Sequence, residues 1–274
     1  MVKKKIEKNN EYYREKYLRY IPTAFCPGCG NGIILNALVR ALDRLVENGQ
    51  LNMKNLVAVS GIGCSGWITS PYLKADTLHT THGRAIAFAT GVKLANPKLN
   101  VLVLTGDGDG AAIGGNHLIH AARRNIDMTV ILVNNQVYGM TSGQTAPTTP
   151  YKAITTTTPG GNPEHPFDLA KLVEGANGSF VARTTVAHPR HIQKLIEQAI
   201  THKGFSFIEV KTTCPTYYGR RNPPKDPPSM VKQLKEITSR TDPNKIPIGV
   251  FKEEQRPTFY EQLMSIKKVK TEEE

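Results

Sequence analysis

Apolar residues in this chain follow two rhythms, and the rhythms alternate. In IILNALVRALDRLVENG, residues 33–49, they recur three and four apart and stop at Gly49, which predicts a helix with one buried face. NLVAVSGIGCSG follows as a short apolar strand running into a glycine loop. GRAIAFATGVKLANP reads as a helix rich in small residues, NVLVLTGDGDG as strand then loop, GGNHLIHAARRNI as helix and MTVILVNN as strand. The alternation resumes with FDLAKLVEGA as helix, FVARTTV as strand, PRHIQKLIEQAITHKG as helix and FSFIEVKTTCP as strand. The predicted strands are near-continuous apolar runs. Such runs suit a sheet buried on both faces, so the pattern predicts an α/β protein with a mostly parallel sheet and helices on both faces. Ligands of such sheets bind beyond the carboxyl ends of the strands. The loops GIGCSG, GDGDG and NNQVYGM are therefore expected to gather along one edge.

Three stretches break the rhythm. Residues 1–22 are polar and basic and read as an arm. YGMTSGQTAPTTPYKAITTTTPGGNPEHP is a long irregular segment, and loops of that length inside a domain are usually functional. From residue 223 the chain turns rich in Pro and Lys without a clear apolar period. The expected organisation is a basic arm over 1–22, a ligand-binding domain over 23–222, and an extension over 223–274 that wraps a neighbour or the domain surface.

The formal net charge of +12 favours acidic partners and phosphorylated small molecules. No helix-turn-helix, zinc-finger or aromatic RNA-binding signature accompanies it, so nucleic acid is not expected. The apolar runs are too short to span a bilayer, and no apolar core follows the basic N-terminus as in a signal peptide. The expectation is a cytoplasmic protein with no membrane partner. Four cysteines are present, Cys26, Cys29, Cys64 and Cys214, and a chain of this size does not need disulfides to fold, which points to metal or redox chemistry.

The loop TGDGDG carries the first candidate chemistry. Gly106 and Gly108 let the backbone turn sharply and approach a ligand closely. Asp107 stands between them at a strand end, with a helix to follow, a setting that favours an anion beside a carboxylate and hence a divalent cation between the two. Asn135 on the next strand can add an amide oxygen and Val137 a backbone carbonyl. A calcium-binding EF loop fails at Ala111 and Leu118. A phosphate loop of the Lys-Ser/Thr type fails because that pair is missing, and a dinucleotide fingerprint fits poorly because no acidic residue closes the second strand. What fits is Gly-Asp-Gly, 25 intervening residues, then Asn134-Asn135. This resembles the thiamine diphosphate motif, in which the Asp and the last Asn bind magnesium on the diphosphate.

Cys26-Pro-Gly-Cys29 puts two thiols on one turn, while Cys64 and Cys214 stand alone on other loops. Structural zinc usually pairs two short Cys spacings. Four thiolates from scattered loops suit a [4Fe–4S] cluster. A redox pair at the CxxC, or four unrelated buried thiols, are the alternatives on spacing alone.

Taken together, FCPGCGNG, SGIGCSGWI, TLHTTHGRAIAFATG, the run from TGDGDG to MTSGQ, and CPTYYGRRN resemble the beta subunit of 2-oxoacid:ferredoxin oxidoreductases, nearest the 2-oxoglutarate branch. The resemblance covers about residues 20–222. It implies a thiamine-diphosphate-binding fold holding the diphosphate half of the cofactor. It implies Cys26, Cys29, Cys64 and Cys214 as ligands of one [4Fe–4S] cluster, and Asp107, Asn135 and the Val137 carbonyl as magnesium ligands. Ile62, Gly63, Cys64, Ser65, Gly108, Asp109, Gly139 and Met140 become cofactor contacts, and His82 a contact to diphosphate or substrate and a candidate catalytic residue. Trp67 falls where the family varies with substrate. Arg84 is expected to pair a carboxylate or to cap the next helix. The implied reaction is oxidative decarboxylation of a 2-oxoacid with coenzyme A, electrons leaving for ferredoxin. Pyruvate or broad 2-oxoacid specificity, or a non-redox decarboxylase subunit, are the other readings. The glutamate that activates thiamine lies on an alpha subunit in that family, so this chain is expected to need such a partner.

Overall fold

The apolar runs become strands and the periodic runs become helices in the computed structural model, which describes residues 8–272. The strands are β1 (Leu56–Ser60), β2 (Asp76–His79), β3 (Asn100–Gly106), β4 (Met128–Asn134), β5 (Phe180–Thr185), β6 (Phe205–Lys211), β7 (Thr238–Ser239), β8 (Ile246–Pro247) and β9 (Gly249–Glu253). The helices are α1 (Asn10–Tyr17), α2 (Asn31–Glu47), α3 (Ala85–Ala95), α4 (Gly115–Arg123), α5 (Leu169–Gly175), α6 (Pro189–Thr201), α7 (Pro227–Ile237) and α8 (Phe259–Glu272). Seven strands form one sheet in the order β2-β1-β3-β4-β6-β5-β9. All neighbours run parallel except β9, which pairs antiparallel with β5.

Alternation along each strand divides the core in two. Leu102, Leu104, Ile131, Val133, Ile208 and Val210 pack with α2 and α6. Val101, Val103, Val130, Leu132, Phe205 and Phe207 pack with α3, α4 and α5 on the other face. Each such side chain contributes about 1.5–3 kcal/mol by leaving water, which explains why the predicted strands had no polar face.

The winding reverses between β1 and β3. The chain leaves β1 for β2 on one side, then crosses back to β3 on the other. A crevice opens at the carboxyl ends of strands at such a point. The loops that follow β1 and β3 are the glycine loops around Cys64 and Asp107.

Both flanking segments carry regular structure packed on the domain. The described part of the N-terminal arm is a helix, α1, whose Tyr13 and Tyr17 are buried one turn apart. Asp43 of α2 holds it, accepting from Lys8 Nζ at 2.6 Å, Lys16 Nζ at 2.8 Å and the hydroxyls of Tyr12 and Tyr17 at 2.8 and 3.0 Å. Residues 1–7 lie outside the described residues. The segment after residue 222 includes helices and strands. Asp226 caps α7 by accepting from Ser229 N at 2.9 Å, with Pro227 in the first turn, and β9 completes the main sheet. These elements are short, amphipathic or at an edge, so their apolar pattern is faint.

Register places Arg183 of β5 opposite Glu209 of β6, and the two pair at 2.6 Å where both side chains are buried. Arg183 also reaches Asp168 at the start of α5. The other Glu209 oxygen accepts from Asn134 Nδ2 at 2.7 Å. Truncating Glu209 leaves the buried Arg183 with only the partly exposed Asp168 as a charge partner, which costs several kcal/mol. Glu209→Ala is expected to lose about 3 kcal/mol or more of unfolding free energy in urea, and Glu209→Gln less; a loss below about 1 kcal/mol for the alanine variant would contradict this account.

Candidate active site

Two cavities sit side by side at the crevice. The larger, about 670 Å³, is lined by Ile62, Gly63, Cys64, Ser65, His82, Asp107, Gly108, Asp109, Asn135, Val137, Tyr138, Gly139 and Met140. The smaller, about 310 Å³, is lined by Cys26, Cys29, Cys64 and Cys214 together with Phe25, Trp67 and Tyr217. Cys64, Asn135, Gly139 and Met140 belong to both walls. Every residue singled out from the sequence as a cofactor contact or a ligand therefore lies on one cavity or the other.

Asp107 forms the floor of the larger cavity and is buried. One carboxylate oxygen accepts from Gly108 N at 3.0 Å, and the other from Gln136 N at 2.9 Å and Thr148 Oγ1 at 2.5 Å. Burial still pushes its carboxyl up to about 6, with these hydrogen bonds pulling the other way. A desolvated carboxylate of this kind calls for a cation. The neighbouring loop can help hold one. Gln136 adopts φ +66°, and the turn sets Asn135 and Val137 on the cavity wall. Val137 is buried, and among the described residues no group donates to its carbonyl. An orphaned carbonyl oxygen, a carboxylate and an amide oxygen make a hard oxygen set that fits magnesium on a phosphate.

Gly108 is a glycine for a steric reason. A Cβ there would stand 2.2 Å from the Tyr138 ring, whose hydroxyl reaches the Gly108 carbonyl at 3.4 Å. Burial raises the Tyr138 phenol, and Asp107 and Asp109 add to the effect. Asp109 lines the cavity, but its carboxylate is turned to protein groups: Ile62 N at 3.2 Å, Gly83 N at 2.7 Å and Thr105 Oγ1 at 2.5 Å.

The four cysteines are free thiols. Burial pushes Cys29 up to about 12, with Cys214, Cys64 and Cys26 all close enough to add to it. It pushes Cys64 up to about 11 and raises Cys214 as well. Among the described residues no three His, Cys, Asp or Glu side chains converge on a single ion position. Zinc would hold thiolates about 2.3 Å from one centre. Four thiols on one cavity are a donor set that fits a thiolate-bound metal or iron–sulfur group.

His79 Nδ1 pairs with Ser60 Oγ at 2.9 Å. Arg84 is the N-cap residue of α3, its carbonyl accepting from Phe88 N at 3.0 Å; its side chain makes no cap bond, and its guanidinium donates to the carbonyls of Gly83 and Ile113, each at 3.3 Å. Trp67 lines the cysteine cavity and leans on Tyr72 at 6.5 Å.

Sequence reasoning missed Thr148 and Thr149. They lie in the long irregular segment expected to be functional, and both are buried. Thr148 donates to Asp107 and Thr149 to the Gln136 carbonyl at 2.7 Å. Nothing in a threonine-rich run marks which hydroxyl turns inward.

A parallel sheet with a Gly-Asp-Gly turn and an Asn loop at its winding reversal defines a thiamine-diphosphate-binding subunit. Residues 61–210 match the thiamine pyrophosphate enzyme C-terminal TPP-binding domain. The chain is 50% identical over 268 residues to the 2-oxoglutarate synthase subunit KorB of Methanothermobacter marburgensis, covering 93% of this chain and 92% of the relative. It is 52% identical over 259 residues to the KorB of Archaeoglobus fulgidus, covering 92% and 93%. A solved 2-oxoglutarate:ferredoxin oxidoreductase from Magnetococcus marinus, with 2-oxoglutarate, coenzyme A and succinyl-CoA bound, superimposes with a TM-score of 0.80 at 32% identity, covering 96% of this chain and 92% of that one. The chain belongs to the 2-oxoacid:ferredoxin oxidoreductase family, as a subunit of the KorB or beta type. The likeness runs well past residues 20–222, into the C-terminal segment. Among the described residues no helix is long and apolar enough to cross a membrane.

The buried carboxylate generates a pH signature. In the metal-free chain the folded state holds the Asp107 proton more tightly than the unfolded chain does. That contribution is full below the ordinary 3.8 and is lost as pH rises through about 6, a change of about 3 kcal/mol. The stability of the wild type relative to Asp107→Ala is therefore expected to fall by about this amount between pH 4 and pH 8. Urea melts of both proteins without metal check it; a pH-independent difference would mean Asp107 is not desolvated.

Proposed function

We propose that this chain is the diphosphate-binding and electron-relaying half of a 2-oxoglutarate:ferredoxin oxidoreductase, converting 2-oxoglutarate and coenzyme A to succinyl-CoA and CO2. The observation that carries the reading is the shared wall. One cavity presents the oxygen set of Asp107, Asn135 and Val137, the next presents four thiols, and Cys64 faces both. A thiol that borders the cofactor pocket while belonging to the cysteine set leaves a short path for an electron. The named substrates of the Magnetococcus marinus enzyme and of the KorB relatives favour 2-oxoglutarate over pyruvate.

In this reading Asp107, Asn135 and the Val137 carbonyl hold magnesium and through it the diphosphate, with Gly108, Ile62 to Ser65 and Gly139-Met140 around it. Cys26, Cys29, Cys64 and Cys214 hold one [4Fe–4S] cluster. Thiamine supplies the carbanion chemistry when bound, and the protein supplies placement and electrostatics. Thr148 and Gln136 fix the Asp107 carboxylate so that its charge meets the cation. Ile62, Ile113 and Met140 bring apolar surface to the cavity, which keeps water from the reacting carbon once a partner covers it. Those three side chains are exposed in the single chain, and an alpha subunit that brings the activating glutamate would also cover them. A cluster held by these four thiols would supply one-electron transfer, with a ferredoxin as the acceptor.

Two measurements test this. Chain produced without air is expected to carry about four iron and four sulfide per molecule, the cubane stoichiometry; stoichiometric zinc without sulfide would overturn the cluster. Assayed with its alpha subunit, the complex is expected to reduce a viologen dye in the presence of 2-oxoglutarate and coenzyme A, and Asp107→Ala to cut that activity about 100-fold or more through lost magnesium and thiamine diphosphate. Unchanged cofactor affinity in Asp107→Ala would refute the ligand assignment, and full turnover by this chain alone would refute the need for a partner.

A further inference from the structure

Asp109 sits two residues from the proposed magnesium ligand, and its side chain does something different. We propose that Asp109 is a positioning residue: it clamps the Cys64-bearing loop and the His82 loop to the end of β3, and it helps to present His82 with Nδ1 protonated and Nε2 free toward the cofactor cavity. This deepens the function proposed above and rests on that reading for the identity of the cavity's ligand.

Three observations carry it. The first is saturation. Oδ1 of Asp109 accepts from Ile62 N at 3.2 Å and Gly83 N at 2.7 Å and lies 3.0 Å from His82 Nδ1, while Oδ2 accepts from Thr105 Oγ1 at 2.5 Å. A carboxylate oxygen has two lone pairs, so Oδ1 has none left for a cation or for a proton in transit. The second is enclosure. Asp109 is buried, and a Cβ on Gly61 would stand 2.2 Å from Oδ2 and 2.3 Å from Oδ1. The carboxylate lies flat against the backbone at the end of β1, which is why glycine is needed there. The third is the imidazole. His82 Nδ1 lies 3.1 Å from the Ile62 carbonyl as well as 3.0 Å from Asp109. Both partners are acceptors, so Nδ1 must donate. Nε2 then has no partner among the described residues, and the half-exposed ring lines the cofactor cavity. In the neutral ring Nε2 is a hydrogen-bond acceptor, placed to take a proton from a bound group and return it.

One residue thus ties the loop after β1, the loop before α3 and the end of β3. Cys64 is two residues beyond Ile62, so the clamp also fixes where the cysteine cavity meets the cofactor cavity. This is how outer partners orient groups that touch ligand, and their loss typically costs 10–100-fold in affinity or activity.

The positioning role separates from a ligand role by the pattern of rescue. Asparagine can replace the clamp: its amide oxygen accepts from the same N–H groups, and its NH2 donates to Thr105, whose hydroxyl reverses. Alanine cannot. In the complex with the alpha subunit, Asp109→Ala is expected to lower kcat about 10- to 100-fold, Asp109→Asn to stay within about threefold of wild type, and both to bind magnesium and thiamine diphosphate nearly as tightly as wild type. In a His82→Gln background the Asp109→Ala loss should shrink, because part of it acts through His82. If Asp109→Asn is as impaired as Asp109→Ala and is restored by raising magnesium, Asp109 is a ligand and the proposal is wrong. Independent losses in the double variant would overturn the link to His82. Ring-15N NMR of histidine-labelled full chain, assigned with His82→Gln, reads the tautomer without any substrate: Nδ1–H for His82 is expected, and Nε2–H would overturn the assignment even if the complex turns over a 2-oxoacid other than 2-oxoglutarate.

Discussion

A carboxylate without water organises this molecule. Asp107 is enclosed by the end of β3, the Asn135 loop and Thr148, and three hydrogen bonds do not offset the loss of solvent. A charge in that state destabilises the fold unless something positive arrives. The same enclosure that costs stability is what suits Asp107 to the cation and diphosphate proposed for it. The neighbouring features follow from this arrangement. Gly108 has no side chain so that Tyr138 can close over the turn, and Gln136 takes a left-handed backbone so that its amide can reach Asp107. A non-glycine residue held there stores strain that surrounding structure must maintain. Here the restraints are the hydrogen bond to Asp107 and that from Thr149 to the Gln136 carbonyl.

That maintenance reaches deep into the sheet. Asn134 accepts from Gln136 N at 3.2 Å and donates to Glu209, which pairs with Arg183 across two strands. A buried ion pair seldom adds net stability. This one lies in a continuous line of contacts from β5 to the Asn135 loop beside Asp107, and it fixes the amide of Asn134 in one orientation. Asp107 and Asp109, two residues apart on one turn, illustrate the division of labour. The first has three donors and the second four, as many as a carboxylate has acceptor sites. Sequence alone presents them as a repeated Gly-Asp and gives no reason to separate them.

What the sequence made legible was what burial on both faces imposes. Strands β1, β3 and β4 read as near-continuous apolar runs, and β5 and β6 as apolar runs broken by the buried Arg183 and Glu209, because each packs helices above and below. Strands β2 and β9 escaped notice because they lie at the two edges of the sheet and carry half-exposed residues such as Thr77 and Lys252. Helix α7 had a readable start in Asp226-Pro227, which was passed over because its apolar stripe is thin. Within the site, the glycine turns and cysteines were legible because few other chemistries need those residues at those spacings. Thr148, Thr149 and Tyr138 were not, since each acts through a contact made by a loop that returns from a distance. The inward carboxylate of Asp109 was hidden for the same reason: its partners Ile62, Gly83 and Thr105 come from three segments.

The central claim is that one chain holds an oxygen-bound cation and an iron–sulfur cluster on opposite sides of a wall made by Cys64, Asn135, Gly139 and Met140. Anomalous diffraction at the iron edge, from crystals grown without air with the alpha subunit, thiamine diphosphate and magnesium, tests it most directly. The account predicts a compact four-iron peak between Cys26, Cys29, Cys64 and Cys214, with the diphosphate and its cation against Asp107, Asn135 and Val137 across that wall. A single zinc peak among the cysteines, or a diphosphate bound away from Asp107, would contradict it.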